Sequence, residues 1–219
     1  MARRRFYTPE EVAVHNSAKD CWVSIFGRVF DLTEIVTKNR GPLTQPIIDN
    51  AGKDLSHWFD EKTGGVRTHM DTDRGLRLPH LPHGRFLHVP PTEPTADWST
   101  EFGTPWWADK DMLIGRLSEK TRKVSIVNAL TGQSDLLTVC SEEYLGEIRD
   151  RYMEYNKHAG SYTWKKMTDE GKFEKLDMSV TLTENGIPDE DEDFEALGID
   201  DGYYYPTIHA YFNDDLTYA

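Results

Sequence analysis

Cysteine is nearly absent: Cys21 and Cys140 are the only two in 219 residues, and they lie far apart. That excludes a disulfide framework, and both read as small core residues in a reducing compartment, cytoplasmic in the broad sense. No apolar run approaches the length of a membrane span, so no membrane partner is expected. Basic residues are in deficit, with 25 Lys and Arg against 38 Asp and Glu and a formal net charge of -13. Phosphate binding needs a basic field, which excludes a nucleic-acid partner. The acid excess serves solubility, or docking onto a basic protein surface. The Met1-Ala-Arg-Arg-Arg-Phe6 start has no apolar stretch behind it and does not read as a signal peptide. The Asp214-to-Ala219 end carries no anchor. No Ser-His-Asp order, Cys–His nucleophile pair, Gly-rich phosphate loop or His-Glu-x-x-His motif stands out, so neither an enzyme nor a small-molecule substrate is expected.

Local signals are clear at the start. Thr8, Pro9 and Glu11 form an N-cap, a first-turn proline and a capping box, so a helix begins there. Trp22 to Thr33 reads as two short strands joined at a Gly27 turn, with Val23, Ile25, Val29 and Leu32 as apolar positions. A short helix through Ile35 and Val36 follows, then the block Ala51-Gly-Lys-Asp-Leu-Ser-His-Trp-Phe59. Residues 79 to 110 are rich in proline and also hold Trp98, Phe102, Trp106 and Trp107. This much proline excludes regular helix, and this much tryptophan excludes a plain linker. An ordered, extended segment is expected, whose aromatics pack on a domain or form an interaction patch.

From Lys123 the pattern changes. Val124–Asn128 and Asp135–Val139 read as a hairpin around Thr131-Gly132. Ser141 reads as the cap of a helix whose Leu145, Ile148, Tyr152 and Tyr155 share one face. Tyr162–Trp164 and Pro206–Phe212 are further strands, with Leu182–Ile187 between them. This order resembles the ubiquitin-like β-grasp fold, without a Gly-Gly end for conjugation. Asp189-Glu-Asp-Glu-Asp193 reads as a solvated loop, with a calcium site given little weight for want of its loop spacing and glycine.

The two N-terminal blocks, over residues 6 to about 70, resemble the haem-binding domain of the cytochrome b5 family. In that family a His-Pro-Gly-Gly turn supplies the first haem ligand. The second histidine lies five residues past the phenylalanine that corresponds to Phe59. Here the first turn reads Asn39-Arg40-Gly41-Pro42 and the second position is Gly64. The resemblance leaves His57 and His69 as candidate axial ligands, His69 if Asp60 to Thr68 carries a local insertion, with Met70 as a sulfur alternative. Against this, His57 also reads as a helix-edge residue and His69 as a loop residue. His80, His83 and His88 have a spacing that zinc accepts, although Pro79 and Pro82 break the helix that would align them.

The chain is thus expected to be α+β: a b5-like domain over 1–78, an aromatic and proline-rich connector over 79–120, and a ubiquitin-like β-grasp domain over 121–219. Asp54–Asp60, Arg85–Pro91, Phe102–Trp107, Gly115–Arg122, Ser161–Lys165 and Tyr211–Thr217 run through almost its whole length. On these pieces it is identified as a member of the small cytochrome b5 domain-containing proteins of cilia and flagella. The resemblance implies the ciliary axoneme, at the radial spokes, with axonemal and spoke proteins as partners. The expected function is a non-catalytic structural or regulatory component with a degenerate haem pocket filled or narrowed by side chains. The alternative is a haem b redox carrier or sensor using His57 and His69. Trp98, Phe102, Trp106 and Trp107 are the candidate interaction residues.

Overall fold

The computed structural model describes residues 4–95, 98–99, 101–200 and 202–212. The basic Met1–Arg3 start and the acidic end from Asn213 lie outside these residues. Among the described residues no helix is long and apolar enough to cross a membrane. The chain divides into two compact units, Met1–Leu117 and Ser118–Ala219.

The first unit opens with β1 (Phe6–Tyr7), α1 (Pro9–Val14), β2 (Asn16–Ser17), β3 (Asp20–Ile25) and β4 (Arg28–Asp31). The capping box forms as read: Thr8 Oγ1 accepts from Glu11 N at 3.1 Å, and the Glu11 carboxylate accepts from Thr8 N at 2.8 Å. The β3–β4 turn consists of Phe26 and Gly27, both at positive φ (47° and 69°). A two-residue turn of this hand matches strand twist but is costly for a phenylalanine. The Ser56 hydroxyl, accepting from Phe26 N at 2.7 Å, holds it in place. Then come α2 (Thr33–Lys38), α3 (Gln45–Asp49), a 3-10 turn at Ser56–Trp58, the hairpin β5 (Thr68–Asp71) and β6 (Leu76–Pro79), and β7 (Leu113–Leu117).

The main sheet runs β1-β7-β4-β3-β2. β7 enters between β1, to which it is parallel, and β4, to which it is antiparallel. Only glycine fits at position 115, because a Cβ there would lie 2.6 Å from the Tyr7 ring. The expected organisation differs here. Residues 79–117 form no separate connector but belong to the first unit. Their prolines prevent regular structure up to β7, while Phe86, Val89 and Trp106 enter the same core as Val23, Phe30, Leu55 and Phe59.

The second unit contains β8 (Thr121–Asn128), β9 (Ser134–Cys140), α4 (Leu145–Tyr152), β10 (Thr163–Met167), β11 (Phe173–Lys175), α5 (Asp191–Ala196) and β12 (Thr207–Tyr211). Its sheet runs β11-β10-β12-β8-β9, with β12 parallel to β8 and antiparallel to β10. Two hairpins flanking a final central strand, with one helix across the sheet, constitute the β-grasp arrangement. Val124, Ile126, Leu145, Ile148, Trp164 and Ile208 build its core.

The helix differs from the expected one. It begins at Leu145 rather than after Ser141, whose hydroxyl is buried without a partner among the described residues. Glu143 turns inward: Arg151 Nε donates to both its oxygens at 2.8 Å, and the two side chains are 1% and 5% exposed. Tyr155, expected on the core face, is exposed. The acidic stretch is not simply a solvated loop. Asp189 pairs with Lys120 at 2.9 Å, and Asp191 begins α5. Buried Arg122 clamps the segment before it, donating twice to Ile187 O at 3.1 Å and also to Pro188 O.

Candidate functional site

α2 ends at Asn39, whose side chain donates back to Ile35 O at 2.8 Å. The residue nearest the first ligand position is therefore a helix cap. The turn after it is closed by Thr44, 1% exposed, whose hydroxyl donates to Gly41 O at 2.9 Å while its amide donates to the same oxygen at 3.1 Å. Arg40 is exposed. Beside this turn runs an open groove lined by Gly41, Leu43, Pro46, Asp49, His83 and Arg85.

After Phe59 the chain folds into a tight turn. The Asp60 carboxylate accepts from Lys62 N at 3.0 Å and Thr63 N at 2.9 Å, and Gly64 N donates to Asp60 O at 2.8 Å. The Thr63 backbone hydrogen bond holds the Asp60 carboxyl below its ordinary range. Gly64, the second ligand position, sits in this turn at φ 66° and has no side chain to offer.

Both candidate ligands are on the surface. His57 lies in the 3-10 turn, 6.1 Å ring to ring from His83, and His83 stacks on Trp58 at 5.8 Å. His69 lies on β5 opposite Leu78, with its ring 5.8 Å from His80. The structure thus separates His57 and His69 into two exposed histidine pairs, and Met70 is exposed beside His69. Leu55, Trp58 and Phe59, read as one helix with His57, instead frame a single 3-10 turn. The β5–β6 hairpin that creates the second pair was missed. Its signal was Asp73-Arg74-Gly75, a turn sequence flanked by Met70 and Leu76. His80, His83 and His88 are not gathered either: no group of three metal-ligating side chains forms among the described residues.

Rings from the 3-10 turn and from residues 86–107 pack together in the core of this unit. Trp58 lies 4.8 Å from Phe86, Phe59 lies 5.8 Å from Trp106, and Trp106 lies 5.5 Å from Trp107. Trp106 is fully buried and Trp107 half-buried in the same cluster. The indole N–H groups of Trp58 and Trp106 find no acceptor among the described residues. The expected patch of Trp98, Phe102, Trp106 and Trp107 is therefore not an exposed interface. Apolar area drives Trp106 and Trp107 inward, and Phe102, half-buried, stacks on His88 at 4.3 Å. Trp98 is half-buried against Phe102 at 5.5 Å.

His88 fastens this arrangement. Its backbone is left-handed at φ 70°, and its Nδ1 accepts from Trp106 N at 3.0 Å. The acceptor role requires a neutral ring protonated on Nε2. Burial pushes the His88 pKa below its ordinary value. The sign follows: the unfolded chain takes the proton first, so this stability is fully present above about pH 6.5. It is lost as pH falls from there through the lowered folded value. Urea unfolding of the parent is expected to show a loss of stability across this window that His88→Asn lacks, since asparagine tolerates left-handed backbone. Identical pH profiles for the two proteins would contradict that role.

A b-type haem needs two neutral donors facing an apolar slot. The histidine rings stacked or edge-on at Trp58 are the exposed His83 and His57, the first turn carries Asn39 and Arg40, and the second position is glycine. These residues do not fit the group.

The profile of the "Cytochrome b5-like Heme/Steroid binding domain" family matches residues 8–117. The chain is 51% identical over 216 residues to the cytochrome b5 domain-containing protein 1 of Xenopus tropicalis, covering 98% of this chain and 97% of the relative. It is 50% identical to the human protein of that name, covering 98% and 92% respectively. Among solved structures, the C-terminal ubiquitin-like domain of mouse tubulin-specific chaperone e covers 42% of this chain and 87% of its own, at 7% identity and a TM-score of 0.28. A likeness that low adds nothing to the β-grasp assignment, which stands on the strand order.

Proposed function

The chain belongs to the cytochrome b5 domain-containing protein 1 family, and from that premise we propose a non-catalytic structural and regulatory component of the ciliary axoneme, associated with the radial spokes. In this reading the b5 fold is a scaffold and not a haem carrier. The observation that carries it is the ring cluster of Trp58, Phe59, Phe86 and Trp106 in the core of this unit, with Asn39, Arg40 and Gly64 at the two ligand positions. The axonemal placement is supported by the resemblance to small b5 proteins of cilia and flagella, sustained from Asp54–Asp60 to Ser161–Lys165. Cytoplasmic and ciliary location, spoke proteins as partners and the lack of a substrate belong to the same proposal. The haem b redox alternative would need His57 and His69 to leave the surface and converge, and no contact favours that movement.

Full-length tagged protein in a ciliated cell is expected to stay with the axoneme after detergent strips the membrane, and to leave it on salt extraction. Recovery in the detergent-soluble fraction, while the radial spokes remain with the axoneme, would overturn the axonemal reading.

A further inference from the structure

Residues of the β-grasp sheet alternate between two faces. Val124, Ile126, Leu137, Trp164 and Ile208 point into the core. The outward positions place Lys165 on β10 directly opposite both Lys175 on β11 and His209 on β12, while Lys123 lies farther along the same face, four residues down β8 from Val127, the partner of His209. The chain has 38 acidic residues, yet none of those in the described strands alternates onto this face. Glu174 points to the core side, where it pairs with Lys166 at 3.7 Å. Lys123, Lys165 and Lys175 make no ion pair among the described residues. Two of them lie over rings instead: Lys165 Nζ is 4.6 Å from the Tyr211 centroid and Lys123 Nζ is 5.9 Å from that of Tyr205. Apolar surface accompanies the charge, since Leu136, Met167 and Phe173 are 49%, 60% and 46% exposed.

A one-sign cluster of cations beside exposed apolar side chains, in a chain of net charge -13, has a definite complement. We propose that the open face of this sheet docks an acidic peptide segment of a partner protein. Its carboxylates would face Lys123, Lys165 and Lys175, with an apolar side chain against Phe173 and Met167. A nucleic acid suits the face less well. Its phosphates need a basic field extending beyond the site. The Phe173 ring meets His209 and Tyr211 edge to face, at 77° and 73°, and offers no flat platform for bases. The proposal rests on the reading of the protein as a docking component, which the detergent fractionation above tests separately.

The test is fluorescence anisotropy of a labelled glutamate-rich peptide containing two leucines, titrated with the full-length chain at low and high salt. Saturable binding that weakens with salt is expected. In Lys123→Glu/Lys165→Glu/Lys175→Glu it should weaken by about tenfold or more, with the thermal midpoint unchanged. Lys62→Glu/Lys157→Glu, which reverses two charges off this face, should keep the parent affinity. Absence of binding, equal binding by the triple variant, or tighter binding of an oligothymidine at the same face overturns the proposal. If peptide binding fails while the tagged chain still stays with the axoneme after detergent, this surface is wrong and the docking reading survives.

Discussion

Trp106→Ala lowers the unfolding free energy by about 3–5 kcal/mol, the range for truncating a fully buried aromatic side chain. The site cannot collapse easily. Trp106 is fully buried and touches Phe59, Phe86 and Trp107, and its own backbone is fixed by His88. Trp106→Phe costs less, because it keeps most of the apolar contact and removes an indole N–H that has no acceptor among the described residues. Urea unfolding followed by circular dichroism orders the parent and the two variants. A Trp106→Ala protein as stable as the parent would show that this ring does not hold the site closed.

Arg151→Leu has a comparable effect in the second unit, about 3–5 kcal/mol, because it strands a charge inside the protein. Glu143 is 1% exposed, accepts from Cys140 N at 3.1 Å, and would lose the Arg151 Nε bonds to both its oxygens. Arg151 also donates to Cys140 Sγ at 3.3 Å, so the pair links the end of β9 to α4. The Glu143→Leu/Arg151→Leu double variant is expected to be more stable than Arg151→Leu alone, since a buried pair costs desolvation that two apolar residues do not. Strict additivity of the two single losses in a double-mutant cycle would contradict this coupling.

The parts legible in the sequence are those decided by neighbours along the chain. The Thr8 cap, the β3–β4 hairpin and the Leu145, Ile148 and Tyr152 stripe each need only a few residues to declare themselves. The closure of the site does not. Trp106 lies 20 residues from Phe86 in a segment without periodicity, and only the return of β7 to the sheet brings it inward. The inward turn of Glu143 is not legible either, because its partner is eight positions away, across two turns of helix. The histidines were legible as residue types but not as pairs, since His57–His83 and His69–His80 arise from long-range folding. The missing ligands, by contrast, were visible at once: no fold puts a nitrogen donor on Gly64.

In the proposed reading this b5 fold is closed around its own rings and holds no haem. Purified full-length protein titrated with haem, oxidised and then reduced, tests it most directly. A broad, non-saturating absorbance change, the same in His57→Ala and His69→Ala, is the predicted result. A sharp one-to-one spectrum of the six-coordinate low-spin type, abolished by either substitution, would contradict the claim and restore a redox role.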